Sequence, residues 1–270
     1  MRHALSVAPF AELADPHAMI EVARAADAAG WDALYLWDHV HRDPSEVAEI
    51  ADVWTMLAAV ATATDRIRLG PMVTPLSRRR LSTLIRQTVT LDHLSNGRLT
   101  MGIGLGVDRA GELTRFGEVV DARTRAAILD ESADLLVEAW GGETVNHRGT
   151  HRVIDGIAFR PTPLQQPRIP IWCAARGDAL RPVRRAARFD GLFVIEVDTE
   201  QLGRAIEEVA SVRGSLDGFD VAVGAPVLDG LNSPGTGLLD VPGVTWAVHM
   251  HPPDVAFERA LASAKAGPNC

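Results

Sequence analysis

Between Arg66 and Gly106 the apolar residues change their spacing twice. Ile67, Leu69, Met72 and Val73 make a short run closed by Thr74-Pro75. Leu81, Leu84, Ile85, Leu91 and Leu94 then recur at the spacing of one helical face. Ser95-Asn96-Gly97 ends that helix, because Asn and Gly accept the left-handed backbone that helix C-termini often use. Leu99, Met101 and Ile103 begin a second run that gives way to Gly104 and Gly106. Strand, helix and strand of this length make a βαβ unit, whose two strands are parallel neighbours. Their C-terminal ends, Val73-Thr74-Pro75 and Gly104-Leu105-Gly106, then share the face on which parallel sheets bind ligands.

The same alternation runs along the chain. Strands are expected over 4–10, 33–37, 67–73, 99–103, 169–174, 191–197, 221–223 and 244–248. Helices are expected from Asp15-Pro16 to Gly30, over 52–64, 81–94 and 123–140, up to Phe189, over 201–212 and from Asp254 to Ala264. Eight alternations predict an α/β fold, a (β/α)₈ TIM barrel. Two stretches break the pattern. Residues 141–168, rich in Gly, Pro and His, read as an excursion, a hairpin being one form, with no core of its own. Residues 226–243 hold Pro, Gly, Asn and Ser with no helical period, where a barrel expects a helix between its seventh and eighth strands. Residues 1–270 are expected to form one domain, since barrels of about 250 residues commonly do.

Charge narrows the partners. Lys and Arg total 27 against 35 Asp and Glu, a formal charge of −8, which argues against general affinity for nucleic acid or an anionic membrane and leaves small molecules. Two cysteines, Cys173 and Cys270, make no disulfide framework and fit a reducing cytoplasm. The first apolar run is too short for a signal peptide and no stretch approaches membrane-spanning length. No metal site is expected.

The motifs Val73-Thr74-Pro75-Leu76 before an arginine-rich helix start, Thr90-Leu91-Asp92-His93-Leu94-Ser95-Asn96-Gly97-Arg98-Leu99, and Gly102-Ile103-Gly104-Leu105-Gly106 together resemble the bacterial-luciferase-like flavin oxidoreductases. Trp140 to His151 and Pro161 to Cys173 are similar to the same family, so the resemblance covers residues 4–213 well. It implies a barrel and a homodimer. It also implies coenzyme F420 or reduced FMN as cofactor, used for hydride transfer or monooxygenation of a small organic substrate.

In such a barrel the site lies at the C-terminal ends of the strands. Asp38-His39 ends the second strand. Alone, an Asp-His pair is an ordinary loop or capping pair, but an imidazole on this face can exchange a proton near neutral pH. The resemblance places an Asp-His pair beside the cofactor in the deazaflavin branch, which puts F420 ahead of FMN and makes His39, with Asp38 beside it, the expected acid/base group. By the same resemblance Met72, Val73 and Thr74, often with a non-proline cis peptide, support the cofactor ring from behind. Gly104, Leu105 and Gly106 let a flat ring approach the backbone. Ala175, Arg176, Gly177 and Asp178 end the fifth strand and open a helix, an expected site for the cofactor phosphate. Arg78-Arg79-Arg80 sits unfavourably at a helix N-terminus and is expected to meet an anionic group. Trp37 and Trp172 are expected to line the substrate pocket. Sugar-phosphate-oxidising relatives often carry Glu where this chain has Val107, a departure that tells against such a substrate. Two other readings stay open: a non-catalytic flavin-binding barrel, and an unrelated barrel enzyme acting on a phosphorylated substrate.

Overall fold

The computed structural model describes residues 1–43, 45, 49–226 and 237–268. Nine parallel strands form one sheet in the order β3, β2, β1, β11, β10, β9, β8, β5, β4. They are β1 (Arg2–Val7), β2 (Ala33–Leu36), β3 (Arg68–Pro71), β4 (Thr74–Pro75), β5 (Met101–Gly104), β8 (Ile171–Arg176), β9 (Gly191–Ile195), β10 (Asp220–Pro226) and β11 (Trp246–Met250). β3 and β4 are two halves of one stave, interrupted at Met72-Val73, whose peptide bond is cis. β4 pairs with β5, and Leu69 of β3 bridges to Leu99 just before β5. The sheet thereby closes into a barrel of eight staves. Closure requires glycine at position 70, because a Cβ there would lie 1.9 Å from the Thr100 carbonyl oxygen.

Helices α1 (Pro16–Ala28), α2 (Val53–Ala63), α3 (Leu81–Leu94), α4 (Ala122–Trp140), α5 (Leu180–Ala186), α6 (Thr199–Arg213) and α7 (Phe257–Ala266) alternate with the strands. Their N-termini follow the expected chemistry: Asp15, Asp52, Asp121 and Asp198 each accept a backbone N–H of the first turn. α3 ends through Asn96 and Gly97 at φ 53° and 76°. Among the described residues between β10 and β11 there is no helix, and 227–236 lie outside them, as does Cys270.

Strand alternation divides the core in two. Ala4, Tyr35, Trp172, Phe193, Trp246 and Val248 point into the barrel, while Leu5, Val7, Leu34 and Leu36 pack against the helices. The motif at the end of α3 supports this shell. Arg98, 9% exposed, donates to the carbonyls of Ala61, Thr64, Ile67 and Ser95. Its guanidinium thus serves the orphan carbonyls at the α2 C-terminus. Asp92 is fully buried and accepts from Leu164 N, Gln165 N and Gln165 Nε2, holding the approach to β8.

Residues 141–168 contain an antiparallel hairpin, β6 (Thr144–Arg148) with β7 (Val153–Ala158). Val145, Ile154 and Phe159 join the main core. Glu131 of α4 accepts from His147 Nε2 and from the N–H groups of His151 and Arg152, and Arg152 donates to the Leu76 carbonyl at 3.1 Å. Cys173 is a buried thiol, pushed up by burial to about 12. No described helix is long and apolar enough to cross a membrane.

Candidate active site

β2 ends at Leu36, and the next three side chains separate in role. Trp37 donates from Nε1 to Ser6 Oγ at 3.0 Å, and its ring lies 6.2 Å from that of His39. Asp38, 3% exposed, turns inward. Thr74 Oγ1 donates to one carboxylate oxygen at 2.8 Å and Arg78 to the other at 3.1 Å. Arg79 donates to both, from Nε at 3.1 Å and through a second, shorter bond. The arginine run therefore meets an anion of its own chain: Arg78 and Arg79 are the counter-ions of Asp38, and only Arg80 of the three is exposed. Strand order explains it. β2 neighbours β3, so the loop after β4 arrives beside the end of β2.

His39 faces the other way, its side chain 20% exposed. Its Nδ1 lies 3.0 Å from Glu112 Oε2, and the Val40 N–H donates to Glu112 Oε1 at 2.6 Å. Arg78 stands 3.7 Å from the same carboxylate. Burial pushes the Glu112 carboxyl up, but the hydrogen bond and charge of His39, the Val40 N–H and Arg78 outweigh it and hold it below the usual carboxylate value. An ionised carboxylate only accepts, so Nδ1–H donates and Nε2 is left as the ring's exchangeable site. Glu112 did not emerge from the sequence, where it falls between the strand expected over 99–103 and the helix expected over 123–140. The cue was an acid on the loop after β5, within reach of the end of β2 once the barrel closes.

The apolar top of the barrel lies beside this pair. Val73, Ala174, Ile195 and Met250 are half-buried. Met72 is buried, and Thr74 is occupied with Asp38. A Cβ on Gly104 would fall 2.4 Å from Val73 Cγ2 and 3.7 Å from Ala174 Cβ, so the Val73 side chain packs directly on the Gly104 backbone beside Ala174, and glycine is required there. Arg125 holds the rim beyond it, donating to the carbonyls of Leu105, Gly106 and Val120 at 2.9, 3.0 and 3.3 Å.

On the far side Ala175 is buried and Arg176, Gly177 and Asp178 turn outward. Gly177, at φ 57°, donates to the Ile195 carbonyl. Arg176 lies 3.3 Å from Glu196 through Nε, and both side chains are exposed. The helix begins at Leu180, two residues past Asp178. Trp172 is not at the mouth. At the start of β8, which runs four residues further, it is 1% exposed and packs edge-on against Tyr35 and Trp246.

Comparison with known proteins agrees with this architecture. The chain is 31% identical over 212 residues to an F420-dependent glucose-6-phosphate dehydrogenase of Amycolatopsis mediterranei, covering 74% of this chain and 61% of that protein. It therefore spans about three fifths of that curated relative's length. An F420-dependent secondary alcohol dehydrogenase superposes with TM-score 0.74 at 19% identity, over 83% of this chain and 68% of its own. A monooxygenase from Streptomyces bottropensis gives 0.78 at 17% identity, over 98% and 97%. At these identities the structures speak for the fold. Residues 2–230 match the family described as luciferase-like monooxygenase, and the chain belongs to that family.

Proposed function

We propose that the chain is an oxidoreductase that holds coenzyme F420, or else FMN, over the strand ends and acts on a small organic molecule. The observation that carries this reading is the His39-Glu112 pair, an imidazole braced by a buried carboxylate at the mouth of the barrel. When bound, the cofactor supplies the redox chemistry: hydride transfer from F420, oxygen activation from reduced FMN. The protein's own groups do the rest. Val73, Gly104 and Ala174 seat the ring, Leu105 and Gly106 border it, and Arg176 with the Gly177 turn takes the anionic tail in place of Glu196. Asp38 fixes the chain beside β4 through Thr74, Arg78 and Arg79. His39 exchanges a proton with the substrate at Nε2, while Glu112 holds the ring through Nδ1. Trp37 walls the pocket next to His39.

F420 comes first because the curated relative named above depends on it. Titration of the purified protein with F420 and with FMN, each oxidised and reduced, tests the assignment. Micromolar binding of F420 alone supports hydride transfer. Preference for reduced FMN moves the reading to monooxygenation, and binding of neither removes the cofactor from this site.

A homodimer belongs to the same proposal. An open groove of about 800 Å³ runs between α2 and α3, with Trp54, Leu91 and Leu94 along it and Ile157 and Phe159 of the hairpin segment at its edge. It lies on the outer helical layer, away from the strand ends, and a second copy packing the same helices there would cover the exposed Leu94 and Ile157. Sedimentation of wild type against Leu94→Glu tests it, the variant being expected to run as a monomer. A cytoplasmic location is proposed on the scarcity of cysteine and on the buried state of Cys173.

A further inference from the structure

The loop before α3 carries the arginines of the site, and α3 begins without the device used elsewhere in the barrel. α1, α2, α4 and α6 each start on an aspartate that accepts a first-turn N–H. α3 follows Arg80, with no side-chain cap and no acid in its first turn. Residues 76–80 therefore take their position from distant parts of the chain, through two tethers.

The first tether is Asp38. Arg78 Nη2 donates to its carboxylate at 3.1 Å and to its carbonyl at 3.0 Å, and Arg79 bonds both carboxylate oxygens. The second is Arg152, which immediately precedes β7 in the hairpin. Its guanidinium donates to Ser132 Oγ of α4 at 2.9 Å and to the Leu76 carbonyl at 3.1 Å, and reaches the Arg79 carbonyl at 3.5 Å. The backbone N–H groups of Arg152 and His151 are fixed on the Glu131 carboxylate, also in α4. A guanidinium presents its donors in one rigid plane, so it holds these oxygens at a set separation, which an ammonium does not. Residues 76–79 are thereby pinned to α4.

This loop acts on His39 through Arg78. The Asp38 carbonyl that Arg78 bonds belongs to the peptide that joins Asp38 to His39. Arg78 also stands 3.7 Å from Glu112, which meets His39 Nδ1 and the Val40 N–H. The imidazole is thus held from both sides along the chain. We propose that Arg152 is a positioning residue of the site: by pinning Leu76 and Arg79 to α4 it sets Arg78 against Asp38 and Glu112, and through them the orientation of His39. The hairpin, an excursion from the strand and helix alternation, gains a part in the site. The catalytic use of His39 rests on the function proposed above; the tether does not.

The test is hydrogen exchange followed by mass spectrometry on the full chain without cofactor. Wild type is compared with Arg152→Met and Arg152→Lys, and with Val145→Ala as a control. Val145 lies in the hairpin's buried core, at the end away from Arg152. In Arg152→Met, exchange over residues 76–81 and 38–41 is expected to rise about threefold or more, the effect of losing hydrogen bonds of this kind. The population of His39 with its proton on Nδ1, read from the ring ¹⁵N resonances, should fall in the same variant. Arg152→Lys should recover part of the protection, and it carries the test should the Met variant not fold. Val145→Ala should raise exchange over 144–158 and leave 38–41 unchanged. Wild-type exchange at 38–41 together with an unchanged His39 spectrum in both Arg152 variants overturns the proposal. An equal rise at 38–41 in Val145→Ala also overturns it, since the site then responds to hairpin stability and not to the guanidinium. With no cofactor present, failure of the F420 and FMN titrations leaves this result standing, and the converse also holds.

Discussion

Lowering the pH from about 7 to about 5 is expected to loosen the packing of α7 against the end of β11, through His251. This side chain is 1% exposed, one residue beyond the end of β11, and its Nε2 bonds to Ser263 Oγ of α7 at 3.0 Å. Burial, with a smaller push from the Arg259 charge, lowers its pKa to about 4 from the ordinary 6.5. The folded protein therefore binds fewer protons than the unfolded chain between these values, and the stabilisation is complete above about pH 6.5 and lost as pH falls toward 4. The gap is worth about 3 kcal/mol in full, of which about 2 kcal/mol is gone by pH 5. His3, also lowered chiefly by burial, adds in the same direction. Urea unfolding at both pH values, on wild type and on His251→Gln, isolates the contribution: the difference in stability between the two proteins should change by about 2 kcal/mol across the interval. Parallel pH dependence in the two proteins would show that His251 is not held neutral by its site, and the linkage argument would fail.

Three further outcomes follow from the site and the barrel. Asp38→Asn removes the nearer charge partner of the Arg78 and Arg79 guanidiniums, leaving Glu112 and Asp52 at 3.7 Å, and should cost about 3 kcal/mol in denaturant stability. Glu112→Gln keeps the bond geometry but removes the charge that supports an imidazolium. With cofactor and a substrate in hand it should lower kcat by about a hundredfold, with cofactor affinity unchanged. Gly70→Ala forces a Cβ onto the Thr100 carbonyl at the closing bridge, and should yield insoluble or molten protein by near-ultraviolet circular dichroism.

Fold was legible where period and end signals agreed. α3 occupies the expected residues 81–94, because a clear apolar face meets a left-handed stop at Asn96-Gly97. Strand ends were less legible. The first strand stops at Val7, since Pro9 has no N–H to continue a ladder and Phe10 instead bridges Ile50. The third is broken at Met72-Val73, where periodicity shows an unbroken run and only the family resemblance pointed to a cis peptide. Within the site, position in the chain located His39 at the strand-end face, but partners are set by barrel closure. Glu112 lies 73 residues from His39 and Arg79 lies 41 from Asp38. Local spacing carries no information about such pairs, so the sequence asked for an anion beside the arginine run without showing that Asp38 supplies it to Arg78 and Arg79.

Two carboxylates lie near His39, and their surroundings assign them different work. Asp38 is held from both sides by guanidiniums and a hydroxyl. Its charge is spent on joining β2 to the loop after β4. Glu112 meets one imidazole, one backbone N–H and a more distant guanidinium, an arrangement in which protonating His39 strengthens an existing bond. The two positions should separate in experiment: Asp38→Asn should lower stability more than it lowers the proton-transfer rate, and Glu112→Gln should do the reverse. Because Arg78 touches both carboxylates, the double variant should fall short of additivity in stability, by about 0.5 kcal/mol or more. Full additivity would mean that Arg78 does not couple them, and the division of labour would then rest on His39 alone.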